Sequence, residues 1–95
     1  MEEIRFEWDE NKNKINQEKH NVSFEEASTV FYDEAALVIG DPEHSSDEGR
    51  FIILGVSLAA NLLVVCHCYR GADEIIRIIS ARKATKTESN QYYKR

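Results

Sequence analysis

From Ile4 to Trp8 apolar and polar positions alternate, the two-residue period of a half-buried strand. Asp9 then offers an N-cap, and a polar helix is expected to run from there to about Lys19. On that helix Lys12, Asn16 and Lys19 share one stripe with the neighbouring Ile15, so it packs weakly or meets a partner. Lys19 and His20 suit the negative end of the helix, and Asn21 tolerates the left-handed stop. A second helix begins almost at once. Ser23 with Glu26 reads as a capping box, Val22 can staple onto Ala27, and Phe24, Ala27 and Phe31 form an apolar stripe with Val30 beside it.

Ala35 to Ile39 reads as a short strand, and Gly40-Asp41-Pro42 opens a polar loop that lasts to Gly49. Phe51 to Ser57 and Leu62 to Arg70 are apolar runs rich in β-branched residues around Ala59-Ala60-Asn61, and Ile75 to Ile79 follows the turn at Gly71-Ala72. These are successive hairpins of a meander. From Ser80, taken as an N-cap, the pattern becomes helical to about Tyr93. The order β-α-α-β-β-β-β-α predicts an α+β fold with a mainly antiparallel sheet, two helices packed on one side and a terminal helix that crosses an edge or lies free.

The 95 residues suffice for one domain, 1–95, and a chain that is 42% hydrophobic and 31% charged is expected to fold rather than stay disordered. Phe51 to Cys68 is broken by Gly55, Ser57, Asn61 and His67, which favours strands over a membrane span. No secretory signal is visible, and Cys66 and Cys68 are badly placed for a disulfide, so a cytoplasmic location is expected. The net charge of −5 argues against nonspecific nucleic-acid binding. The average hides an asymmetry: residues 1–66 carry five Lys/Arg against fourteen Asp/Glu, whereas residues 67–95 carry seven against three. A polyanion could be held by the basic last third, which charge alone reads equally as a solvated helix end.

The run Phe6-x-Trp8-Asp9-x-x-Lys12-x-x-x-Asn16-x-x-Lys19-His20-x-Val22-x-Phe24-x-x-Ala27 is followed by Arg50 with Gly55, and by Arg70 with Arg77-Ile78-Ile79-Ser80-Ala81-Arg82-x-Ala84. Together they resemble the BrnT toxin family over nearly the whole chain. The resemblance implies a RelE-like fold, ribonuclease activity within a type II toxin–antitoxin pair, and neutralisation by a BrnA-type antitoxin that itself binds DNA. Asn21, where the family commonly has Gly, and Ser89, where a basic residue is frequent, depart from the pattern.

A metal-free ribonuclease needs a ribose hydroxyl as nucleophile, a group that moves its proton, and positive charge where the phosphate gains negative charge. Arginine suits the last role, because its fork is permanently charged and grips phosphate oxygens in pairs. If Arg70 faces Asp73 across the turn, Cys68 pairs with Ile75, Cys66 pairs with Arg77, and Arg70 and Arg77 share a sheet face. Arg82, placed in the first turn of the last helix, would sit there against the dipole unless an anion is bound. Arg70 and Arg82 are therefore the candidate clamp for the scissile phosphate, with Arg50, Arg77, Lys83 and Lys86 as flanking RNA contacts. The competing reading pairs these arginines with Asp73 and Glu74.

His67 is the candidate general acid or base, and equally a packed strand histidine on the face opposite Arg70. Cys66-His67-Cys68 is a poor metal site, since alternate strand residues point opposite ways and no second cluster exists; no cofactor is expected. Two functions compete: an endoribonuclease, and a non-catalytic module of the same fold that binds the antitoxin and adjusts its DNA binding. The expected partners are RNA and the antitoxin in a hetero-oligomer, with DNA only through the antitoxin.

Overall fold

The structure, a computed structural model, describes residues 3–40, 49–72 and 74–95. Strand β1 (Arg5–Glu7) leads into α1 (Glu10–His20); α2 (Phe24–Thr29) continues as a 3-10 turn, Val30–Tyr32; then come β2 (Leu37–Gly40), β3 (Phe51–Val56), β4 (Leu62–Arg70), β5 (Ile75–Lys83) and α3 (Lys86–Tyr93). One sheet holds all five strands in the order β1-β5-β4-β3-β2. Strands β2 to β5 form the expected antiparallel meander, and β1 joins parallel to β5. The α+β class and the element order stand. The loop expected from Asp41, with His44, and the turn residue Asp73 lie outside the described residues.

The helix junction forms for the reasons legible in the chain, with one exchange of partners. Asp9 caps α1, accepting from the Asn11 and Lys12 amides, and Asn21 stops it at φ 57°, its amide donating to the Gln17 carbonyl. Ser23 caps α2 by accepting from the Glu26 amide at 3.0 Å. The Glu26 carboxylate does not close the capping box. It accepts instead from Ser57 Oγ at 2.6 Å and Asn61 Nδ2 at 2.8 Å, tying α2 to the β3–β4 turn.

Helix α1 docks without an apolar stripe, which corrects the expectation of weak packing. Its two buried residues are Asn13 and Asn16. Asn16 Nδ2 donates to the carbonyls of Val22 and Ala81, both at 2.8 Å, and its Oδ1 accepts from the Ala81 amide at 3.1 Å. Asn13 Oδ1 accepts from the Phe24 amide at 2.8 Å. Buried amides with every partner supplied hold a helix in one position, where apolar side chains tolerate sliding.

The two sheet faces bury separate cores. On the first, Val22, Phe24, Ala27 and Val30 pack over Ile53, Leu63, Val65, Ile78 and Ala81. Gly55 lies beneath the 3-10 turn, where a Cβ would meet Val30 Cγ1 at 2.9 Å. On the second, Tyr92 of α3 packs on Leu54 and Val64. Helix α3 therefore neither crosses an edge nor lies free. Its end is fixed by Tyr92, whose hydroxyl donates to Asp33 Oδ2 at 2.5 Å, and by Arg95, which donates to the Ala35 carbonyl. The hydrogen bond to Asp33 is the main reason the Tyr92 hydroxyl is pushed up to about 12.

The largest departure is at the last boundary. Ser80 is not an N-cap, because Ser80, Ala81, Arg82 and Lys83 continue β5 and pair with Cys66, Val65, Val64 and Leu63. The helix starts after Thr85, whose hydroxyl accepts from the Glu88 amide while the Glu88 side chain accepts from the Thr85 amide.

Candidate active site

The pairing of β4 with β5 decides which cations meet. The hairpin pairs Arg70 with Ile75 and Cys68 with Arg77, two residues away from the register that opposes Arg70 to Asp73. A shift of two preserves the alternation of faces, so Arg70 and Arg77 still share a side. On a regular strand Arg82 would stand on the other side, an odd number of positions from Arg77. A β-bulge prevents this: His67 pairs with Ile78 but Cys66 with Ser80, leaving Ile79 as the extra residue. Beyond it Arg82 pairs with Val64 and faces the same side as Arg70 and Arg77.

Each of these guanidinium groups is held by a carboxylate. Glu7 pairs with Arg77 in the β1–β5 ladder and places Oε2 2.8 Å from Arg77 Nη1 and 3.1 Å from Arg70 Nε. Arg82 grips Glu88 with both prongs, Nη1 to Oε1 at 2.8 Å and Nη2 to Oε2 at 2.9 Å, and Nη1 also donates to the Lys83 carbonyl. The hydrogen bond from Arg82 is the main cause that holds the Glu88 carboxyl at about 2, and the same bond pushes the Arg82 guanidinium up. Among the described residues, Arg82 Nε and the remaining Nη2 hydrogen have no acceptor. No bound anion is needed to offset a helix dipole at Arg82, since Arg82 is a strand residue whose anion is Glu88.

The other candidates are dispersed. Arg50 is half-buried and immediately precedes β3, at the end where Phe51 pairs with His67. Lys83 pairs with Leu63 and so faces the side covered by α1 and α2, opposite Arg82. Lys86 opens α3 and is exposed. The carboxylates that hold the arginines are Glu7 and Glu88 rather than Glu74, the partner named in the competing reading.

His67 does not join the arginines. It is fully buried on the face covered by α1 and α2, with Nδ1 3.2 Å from the Val65 carbonyl and Nε2 unpartnered among the described residues. The rings of Phe31, Tyr69 and Phe51 surround it, with centroids at 4.8, 5.4 and 6.2 Å. Burial pushes the imidazole down, against the opposing pull of the Val65 carbonyl, so it is a neutral core residue. The structure thus sets His67 apart from Arg70 and Arg82, on the opposite face of the sheet. Neither Cys66 nor Cys68 forms a disulfide, and among the described residues no group of three His, Cys, Asp or Glu side chains is arranged to hold a metal ion.

The sequence model of a family described as "Ribonuclease toxin, BrnT, of type II toxin-antitoxin system" matches residues 8–88. The chain belongs to the BrnT family. The match runs from Trp8 to Glu88 and so includes α1, Arg70, Arg77, Arg82 and the Glu88 partner, while Glu7 lies just outside it. The crystal structure of the Brucella abortus ribonuclease toxin BrnT is similar to this fold, with a TM-score of 0.68 at 22% identity, covering 88% of this chain and all (100%) of that one. No curated protein matches. The BrnT fold here contains no helix, among the described residues, long and apolar enough to cross a membrane.

Two residues of this candidate site escape sequence reasoning. Glu88 carried a signal, the spacing Thr85-x-x-Glu88 of a capping box. Glu7 carried none, because its meeting with Arg70 and Arg77 depends on a parallel pairing between the two ends of the chain.

Proposed function

We propose that the protein is a metal-independent endoribonuclease toxin that works on the face bearing Arg70, Arg77 and Arg82, and that a BrnA-type antitoxin neutralises it. The observation that carries this reading is the bulge at Ile79, which puts three guanidinium groups on one side of the sheet. In the reaction a ribose 2′-oxygen attacks the adjacent phosphorus. The new O–P bond forms as the bond to the 5′-oxygen breaks, leaving a 2′,3′-cyclic phosphate and a 5′-hydroxyl. Arg82, aimed by Glu88, and Arg70 stabilise the charge that accumulates on the non-bridging oxygens. Glu7, in contact with both Arg70 and Arg77, takes the proton of the attacking 2′-hydroxyl, which His67 is too buried to reach, and the departing 5′-oxygen takes a proton from solvent water. Arg50, Lys83 and Lys86 serve at most as peripheral backbone contacts.

The purified chain should cleave single-stranded RNA in excess EDTA and leave cyclic phosphate ends. Loss of cleavage on chelation, or ends of another kind, would refute the chemistry. A second reading has an observation in its favour: Glu7 and Glu88 pair with all three arginines, as in a purely structural network whose protein acts by binding the antitoxin and modulating its DNA binding. RNA left intact by a folded, antitoxin-binding protein would establish that reading. In either case we place the complex in the cytoplasm as a toxin–antitoxin hetero-oligomer that meets DNA only through the antitoxin.

A further inference from the structure

The stripe of Lys12, Asn16 and Lys19 on α1 forms a second cationic region, separate from the arginine face. Strand β1 pairs only with Ile75 to Arg77, and beyond its end α1 packs directly against β5. There a cleft of about 200 Å³ is lined by Lys12, Ile15, Asn16, Lys19 and His20 from the helix and by Ile79 and Ser80 from the bulged part of the strand. The Asn16 amide is committed to the backbone of Val22 and Ala81 and forms a fixed wall. The side chains of Lys12, Lys19 and His20 make no hydrogen bond or ion pair with the described residues. Nor does any carboxylate line the cleft.

Three donors around one concavity, with no carboxylate among the lining residues, describe a place that can hold an anion; the C-terminal end of α1, which Lys19 and His20 also flank, offers them only partial negative charge. Ser80 connects this cleft to the arginines. It pairs with Cys66, on the face of Arg77 and Arg82, and lies two residues from Arg82, about 6.5 Å along an extended strand. One extended nucleotide strand can reach both regions over the β5 edge.

We propose that the α1–β5 cleft is a second phosphate-binding site, in which Lys12, Lys19 and His20 hold a backbone phosphate of the RNA strand whose scissile phosphate lies on the arginine face. The identity of that strand rests on the ribonuclease reading above; the anion-binding character of the cleft does not. The test is binding of a short single-stranded 2′-O-methyl RNA, which cannot be cleaved, across a salt series. The double variant K12Q/K19Q, at exposed positions, should bind roughly tenfold more weakly, and its salt slope should fall by about 1.4, two contacts at about 0.7 each. K12R/K19R should retain the affinity, and K14Q, a charge loss outside the cleft on the same helix, should leave the slope as it is. Thermal unfolding of each variant reports separately on the fold. Unchanged affinity and slope in K12Q/K19Q would overturn the proposal. So would unchanged RNA binding with loss of antitoxin binding, which would assign the cleft to the protein partner. Lysine-dependent binding by a wild-type protein that leaves natural RNA intact would uphold the cleft and sink the ribonuclease reading alone.

Discussion

On the sheet face that carries Arg70, Arg77 and Arg82, every one of these guanidiniums touches a carboxylate, Glu7 or Glu88; in the cleft between α1 and β5, Lys12, Lys19 and His20 touch none among the described residues. Chemistry and capture make different demands. A charge that must meet a transition state has to be aimed beforehand, and a carboxylate that holds one edge of an arginine fork leaves its other edge in a fixed direction. A charge that only attracts a backbone gains from being mobile, solvated and uncompensated, as lysines on a helix surface are.

Breaking the contrast at Glu7 should have the largest effect. Glu7→Gln keeps the size of the side chain and removes its charge and basicity, and RNA cleavage is expected to fall by about 10²–10⁴. If initial rates match wild type, Glu7 is only a counter-ion. Next in size is Asn16→Ala, which strips the cleft wall of its amide. Three buried backbone groups, on Val22 and Ala81, lose their partner, so denaturant unfolding should show a loss of roughly 2–4 kcal/mol. A loss below about 0.5 kcal/mol would mean that α1 is held by something else.

Glu88 gives the contrast a pH dependence. Its carboxyl sits at about 2 in the folded protein against 4.5 as the ordinary value, so its contribution is complete above 4.5 and fades as pH falls toward 2. Glu88→Gln should therefore cost about 1–2 kcal/mol at neutral pH, with the gap to wild type closing in acid; a gap that is constant from pH 7 to 2.5 would contradict the ion pair. The smallest effect is expected at Ala72, which adopts φ 59° in the β4–β5 turn that presents Arg70. Ala72→Gly relieves the crowded Cβ and should raise stability by about 0.5–1 kcal/mol, read from the thermal midpoint; a lower midpoint would refute the strain.

Where the chain order itself brings residues together, the structure was legible. Asp9, Asn21 and Ser23 mark the helix ends, and the hairpin turn near Gly71 puts Arg70 and Arg77 on one face and His67 on the other. What failed depends on distant partners. Ser80 satisfies a local capping rule, yet Ala81 and Lys83 extend the strand because Val65 and Leu63 lie beside them. The bulge at Ile79, which brings Arg82 to the site, exists only relative to β4. Asn16 reads as a surface position on a polar helix until the Ala81 backbone meets it from the far end of the chain.

Arg82 offers the most direct test of a pre-aimed cation. Cleavage of one RNA substrate by wild type, Arg82→Lys and Arg82→Ala, measured in EDTA beside their thermal midpoints, tests whether a two-pronged, pre-aimed cation drives the reaction. The expected result is a fall of about 10²–10³ for Arg82→Ala and only partial recovery with lysine, at midpoints that differ by a few degrees. Wild-type rates in a folded Arg82→Ala protein would contradict it.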